Sequence, residues 1–181
     1  MLVFISGGVR SGKSTLGENL TEKLSDGRKI YLATSIVYDE EMVQRVILHK
    51  KQRSGKGYIT IEKSTNIGAI LVDIRKGDTI LLDCLGNLLA NEMFSDKTMR
   101  EKENVAEKIF SDICLINEKA ENIIIVSNDV FSDGCMYSDS VISYIDTLAL
   151  LHRKIVGIAD KAIECIAGSQ VIHKDCIENE R

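Results

Sequence analysis

The sequence predicts an α/β fold: a mostly parallel central sheet, helices on both of its faces, and a hairpin at the carboxyl end. Three observations predict it. Short apolar runs alternate with longer amphipathic stretches, the pattern of parallel strands joined by crossover helices. The first run, Leu2 to Ile5, leads directly into Gly7-Gly8-Val9-Arg10-Ser11-Gly12-Lys13-Ser14, and Gly7, Gly12, Lys13 and Ser14 fit the spacing G-x-x-x-x-G-K-[ST]. The last apolar stretch, Ala162 to Ile172, is interrupted by Gly168-Ser169 and reads as two strands around a turn.

Each element follows from local pattern. Ser14 to Leu24 carries Leu16, Leu20 and Leu24 at helical spacing and stops near Gly27. Ile30 to Thr34 is a second strand. Asp39 to Gln52 is a helix, with Asp39, Glu40 and Glu41 at its start and Lys50, Lys51 and Arg53 at its end, the charge order that suits the helix dipole. Tyr58 to Ile61 is a brief strand and Asn66 to Arg75 a helix. Gly77-Asp78 turns the chain into the buried strand Thr79 to Asp83. Leu85 to Phe94 and Thr98 to Ala120 are helices, Ile123 to Val126 a strand, and Ser138 to Asp160 a helix before the hairpin.

The glycine-rich loop needs those residue types to hold phosphate. Gly7, Gly8 and Gly12 let the backbone curl with its N–H groups inward and no Cβ in the way. Lys13 adds a point charge for the β- and γ-phosphates, Ser14 a hydroxyl for Mg²⁺, and the helix its positive end. The bland reading of the same residues is a glycine turn beside an exposed lysine. The whole predicts one P-loop nucleotide-binding domain over residues 1–181, of the P-loop NTPase (RecA-like) type.

Composition narrows the partners. With 23 basic and 27 acidic residues the net charge is −4, which supplies no global field for nucleic acid or an anionic membrane. No apolar run approaches the ~20 residues of a bilayer span, so the expected location is the cytoplasm. Cys84, Cys114, Cys135, Cys165 and Cys176 are odd in number and never form C-x-x-C, and are expected to be free thiols. His49, His152 and His173 are too scattered to suggest a metal cluster.

Two further residues attract attention. Asp83 ends an apolar strand, where a nucleotide-binding sheet places a Mg²⁺-holding carboxylate. A capping aspartate for the following helix explains it as economically. His49 shares a helical stripe with Met42 and Arg45, a basic surface that could face phosphates or simply face solvent. Asp129, leaving the strand 123–126, reads equally as a functional acid or a loop cap.

Several segments together resemble one family. Gly7 to Ser14, Tyr31-Leu32-Ala33-Thr34, Asp39 through Arg45, Val46, His49 and Lys50, Ile80 to Cys84 with Asn91, and Val126 to Val130 look like successive signatures of the bifunctional adenosylcobinamide kinase/adenosylcobinamide-phosphate guanylyltransferases of cobalamin biosynthesis. The resemblance spans essentially the whole chain. It implies that Gly7, Gly8, Val9, Arg10, Ser11, Gly12, Lys13, Ser14, Thr34, Ser35, Arg45 and Glu62 bind nucleotide, GTP or ATP. It implies Mg²⁺ at Ser14 and Asp83, where the family usually has Glu. It further implies that His49 attacks the α-phosphate of GTP to form a covalent guanylyl-histidine, that Lys13 and Asp83 serve catalysis, that the corrinoid adenosylcobinamide is the acceptor, and that the protein is a homotrimer.

The carboxyl-terminal half departs from the family pattern. N-E-V-G reads Asn128-Asp129-Val130-Phe131, and G-I-V-P reads Gly134-Cys135-Met136-Tyr137. Of R-D-x-x-G-x-x-N-Q only Asp146 survives, with Ile145, Ala149, His152 and Arg153 at the other positions. The turn S-G-I-P reads Ala167-Gly168-Ser169-Gln170. Two other readings stand beside the bifunctional enzyme: a P-loop kinase of another small alcohol, and a nucleotide-binding regulatory protein.

Overall fold

Apolar runs too hydrophobic to face water on either side become the inner strands of a seven-stranded sheet. The computed structural model describes residues 1–36, 40, 43, 47, 51, 53–94, 102–131 and 137–176. Its strands are β1 (Leu2–Gly7), β2 (Lys29–Ala33), β3 (Tyr58–Glu62), β4 (Thr79–Asp83), β5 (Asn122–Asn128), β6 (Lys161–Ile166) and β7 (Ser169–Asp175). They lie in the order β3-β2-β4-β5-β1-β6-β7. Every neighbouring pair is parallel except β6–β7, which is antiparallel. The expected mostly parallel sheet, helices on both faces and terminal hairpin are therefore all present.

Period-two alternation decides which side chains go to which face. Leu2, Phe4, Ile30, Leu32, Ile80, Leu82, Ile123 and Ile125 point to one side. There they meet three helices, α2 (Leu85–Phe94), α3 (Lys102–Lys119) and α4 (Asp139–Ile158), in a continuous aliphatic core. Val3, Ile5, Tyr31, Leu81, Ile124 and Val126 point to the other, against Leu16, Leu20 and Leu24 of α1 (Lys13–Leu24). Gly17 is what lets α1 settle there: a Cβ on it would lie 3.0 Å from both Leu81 Cδ1 and Val126 Cγ2.

Three elements differ from their sequence expectations. The helix expected over 66–75 is a 3-10 helix, Ile67–Val72. Its three-residue turn puts Ile67 and Ile70 on one side, both buried, while Val72 is left 86% exposed. Strands β1 and β5 also run two residues further than their apolar cores, carrying Ser6, Gly7, Ser127 and Asn128 to the carboxyl edge of the sheet. The helix expected over 39–52 falls mostly outside the described residues; Glu40, Val43, Ile47 and Lys51 are helical and exposed, and Arg53 is helical and buried.

Candidate active site

The loop after β1 is shaped by close approach as much as by glycine freedom. Gly7 sits where a Cβ would come within 2.6 Å of both the Cys165 carbonyl oxygen and Ser11 Oγ, so no side chain fits. Arg10 and Gly12 have φ of 59° and 95°, the left-handed conformation that turns successive N–H groups to one side. Gly12 is the N-cap of α1 and no side chain caps that helix, so its positive end is left for an anion. Lys13 is buried and its Nζ donates to the Gly8 carbonyl at 2.9 Å, spanning the loop from within. Ser11 Oγ is buried with no hydrogen-bond partner among the described residues, an orphaned polar atom inside the cradle.

Neighbouring elements brace this loop. The Asp129 N–H donates to the Gly7 carbonyl at 2.9 Å, and the Gly168 N–H to the Ser11 carbonyl at 3.1 Å. The turn of the terminal hairpin thus lies against the P-loop. Asp129 turns its own carboxylate to the Phe131 N–H at 3.2 Å, the loop-capping arrangement.

Asp83 closes β4, one strand away from β1 across β5. Its Oδ2 accepts a hydrogen bond from the Tyr31 hydroxyl at 3.0 Å. The adjacent Cys84 thiol is pushed up to about 12, by burial first and the Asp83 charge second, with the Asn87 and Gly86 N–H groups and Lys13 opposing them. Asp83 pairs with Val126 of β5, and Val126 with Ile5 of β1, all in parallel, so the strand-end carboxylate and the P-loop that follows β1 lie at the same carboxyl edge of the sheet. The Tyr31 hydroxyl is itself held strongly protonated, by burial first and by the Asp83 charge second.

The remaining predicted residues separate. Thr34 is wholly buried; its hydroxyl donates to the Cys84 carbonyl and accepts from the Cys84 N–H, each at 2.8 Å. Ser35 Oγ accepts from Asn87 at 2.7 Å, while Asn91 donates to the Thr34 carbonyl at 2.8 Å, so β2 is fastened to α2 just past its end. Glu62 is exposed at the end of β3 beside Ala33. Val9 and Arg10 lie exposed at the tip of the P-loop. Arg45 and His49 lie outside the described residues.

A family model described as cobinamide kinase / cobinamide phosphate guanyltransferase matches residues 3–172. The chain belongs to that family. It is 28% identical over 140 residues to the bifunctional adenosylcobalamin biosynthesis protein CobU of Escherichia coli, covering 72% of this chain and 76% of that protein. It is 33% identical over 97 residues to the protein of the same name from Salmonella typhimurium, covering 52% of this chain and 51% of that one. Among solved structures, an ATPase domain superposes with a TM-score of 0.58 over 97% of this chain and 77% of its own, at 13% identity, a likeness of fold.

As a member of the cobinamide kinase / guanyltransferase family the chain is a P-loop transferase, and its donor set suits Mg²⁺. The Asp83 carboxylate and the Ser14 hydroxyl are hard oxygens, and Mg²⁺ takes one or two such ligands and completes its shell with phosphate and water. No group of three or more His, Cys, Asp or Glu that could hold a metal occurs among the described residues. None of the described helices is long and apolar enough to cross a membrane. Sequence reasoning missed what surrounds this core. Tyr31 and Arg53 were visible only as members of a strand and a basic helix end, and Glu18 as one polar position on α1. Their contacts join residues far apart in the chain, 35 positions for Arg53 with Glu18 and 52 for Tyr31 with Asp83.

Proposed function

We propose that this protein phosphorylates adenosylcobinamide with ATP or GTP, and then transfers GMP from GTP through a guanylyl-histidine at His49 to give adenosylcobinamide-GDP. The observation that carries the reading is an intact P-loop and the Asp83 carboxylate at the same carboxyl edge of one sheet, in a chain that belongs to this family.

In the first reaction the hydroxyl of the aminopropanol arm attacks the γ-phosphorus of the donor, its proton leaves, and the nucleoside diphosphate departs. The loop amides, the α1 N-terminus and Lys13 stabilise charge on the transferring oxygens. Ser14 and Asp83 would hold Mg²⁺, which would supply further positive charge at the transferring phosphate. In the second reaction a neutral imidazole nitrogen of His49 attacks the α-phosphorus of GTP and expels pyrophosphate. A phosphate oxygen of adenosylcobinamide phosphate then attacks the phosphoramidate, forming the diphosphate bond and freeing the imidazole. Arg10, Ser35, Arg45 and Glu62 border the nucleotide in this reading, and Thr34, with its hydroxyl bound to Cys84, holds the strand end they depend on. The reading includes a single 1–181 domain, assembly as a homotrimer and a cytoplasmic location.

Incubation with α-labelled GTP tests it. Acid-labile label retained on the denatured protein and absent from His49→Ala is the expected result. Absent label with adenosylcobinamide still phosphorylated would leave a kinase alone, and tight nucleotide binding without turnover would leave a regulatory protein.

A further inference from the structure

A charged pair lies buried where the fold has no structural need for charge. Arg53 and Glu18 have side chains only 5% and 7% exposed, and the guanidinium reaches the carboxylate at 3.5 Å. Taking two ions out of water costs several kcal/mol, and an apolar pair of similar volume would hold α1 in place at least as well. Arg53 does more than meet Glu18. Its guanidinium lies 3.4 Å above the centre of the Tyr31 ring, a planar stack that a lysine ammonium cannot reproduce. Tyr31 in turn, 6% exposed, donates its hydroxyl to Asp83 Oδ2.

Glu18 is held on its other side as well. Lys56 reaches Glu18 at 3.3 Å and Glu22 at 2.9 Å, and the Tyr58 hydroxyl donates to the Glu18 carbonyl at 3.3 Å. Arg53 is therefore fixed from below by α1 and presses on a ring whose only hydroxyl is aimed at the strand-end acid. Arg53 also stands four residues after His49 in sequence, on a segment whose other described positions, Glu40, Val43, Ile47 and Lys51, are all exposed.

We propose that Glu18, Arg53 and Tyr31 form a brace that positions the Asp83 carboxylate, with Arg53 acting on Asp83 through the Tyr31 ring. Tyr31 and Arg53 are positioning residues: the hydroxyl fixes the rotamer of the carboxylate, and the guanidinium fixes the ring. This inference rests on the proposed role of Asp83 as a Mg²⁺-holding carboxylate.

The test uses full-length protein and a fluorescent GTP analogue, with binding measured in EDTA and across a Mg²⁺ titration, and thermal unfolding recorded for every variant. Tyr31→Phe keeps the ring beneath Arg53 and removes only the donor to Asp83. The Mg²⁺ concentration at half-maximal enhancement of binding should rise about ten-fold, the scale seen when a partner of a metal ligand is lost. Binding in EDTA and the unfolding temperature should stay at wild-type values. Arg53→Lys should raise the same midpoint, and the double variant should be no worse than Tyr31→Phe alone, since one residue acts through the other. An unchanged midpoint in Tyr31→Phe, with Asp83→Asn raising it, would overturn the brace and leave the role of Asp83 standing. Effects of Tyr31→Phe and Arg53→Lys that multiply in the double variant would overturn the coupling between them. An unchanged midpoint in Asp83→Asn would remove the role of Asp83, and the brace with it.

Discussion

The two faces of the sheet are built from the same strands but do different work. On the side of α2, α3 and α4, isoleucine, leucine and methionine from three helices and the 3-10 helix interlock over the strands in a thick aliphatic layer, with Asn91, Glu92, Ser143 and Thr147 buried at its helices. On the side of α1 the described apolar layer is thin: Val3, Ile5, Leu81, Ile124 and Val126 are joined by Tyr31, Cys84 and Cys165. Around that layer are buried Lys13, Glu18 and Arg53. The difference teaches where this protein keeps its stability and where it keeps its chemistry. Burial of aliphatic area stabilises without specifying any reaction, whereas buried charges are costly and gain strength from being dry.

Breaking the thick face should produce the largest loss of stability. Leu88→Ala removes a fully buried side chain of α2 and should cost about 3 kcal/mol, seen as a lower urea midpoint, while the folded fraction binds nucleotide with unchanged affinity. Lys13→Ala on the other face should show the reverse. Affinity for a GTP analogue should drop roughly 100-fold, equivalent to losing a charged hydrogen-bonding group worth about 3 kcal/mol, with little change in unfolding temperature. A Leu88→Ala variant that loses nucleotide affinity as steeply as Lys13→Ala would abolish the contrast between the faces.

A titratable group inside the thick face sharpens the comparison. His152 packs edge-on against Phe4 and Phe131 and shares a 2.7 Å hydrogen bond with Ser127. Burial lowers its pKa to about 4 against the opposing pull of Asp129. The unfolded chain, titrating near 6.5, binds the proton first, so stability is full above pH 6.5 and falls as the pH drops toward 4. The loss amounts to about 3 kcal/mol at most. Thermal unfolding temperature between pH ~7.5 and ~4.5 should therefore fall more steeply in wild type than in His152→Asn. The smallest effect concerns the hairpin that leans on the P-loop. Ala167 and Gly168 both have positive φ, 49° and 86°, the two-residue turn that favours Asn-Gly. Ala167→Asn should raise stability by roughly 0.5 kcal/mol, measured by urea denaturation, without altering nucleotide affinity.

The fold was legible to the extent that it rests on local pattern. Thr79–Asp83 and Leu85–Phe94 have the boundaries that their apolar runs imply, because each run is bounded by turn or capping residues. The 66–75 segment suggests an α-helix where a 3-10 helix forms, because Ile67 and Ile70 satisfy both a three- and a 3.6-residue period over so short a stretch. At the site, Gly7 through Ser14 could be recognised because the phosphate cradle is contiguous in sequence. Glu18, Tyr31 and Arg53 could not, since nothing local distinguishes a buried arginine at a helix end from a solvated one.

By itself the sequence determined the P-loop, the alternation of strands and helices and the kinship with the cobinamide kinase / guanyltransferase family, since all three are written in short-range spacing. Only the tertiary structure decided that Tyr31 meets Asp83, that Arg53 lies on Tyr31, and that the hairpin turn touches Ser11. Those contacts arise from strand order and register in a sheet whose neighbours are far apart in the chain. Side chains brought together that way leave no periodic trace in sequence for their meeting to be read from.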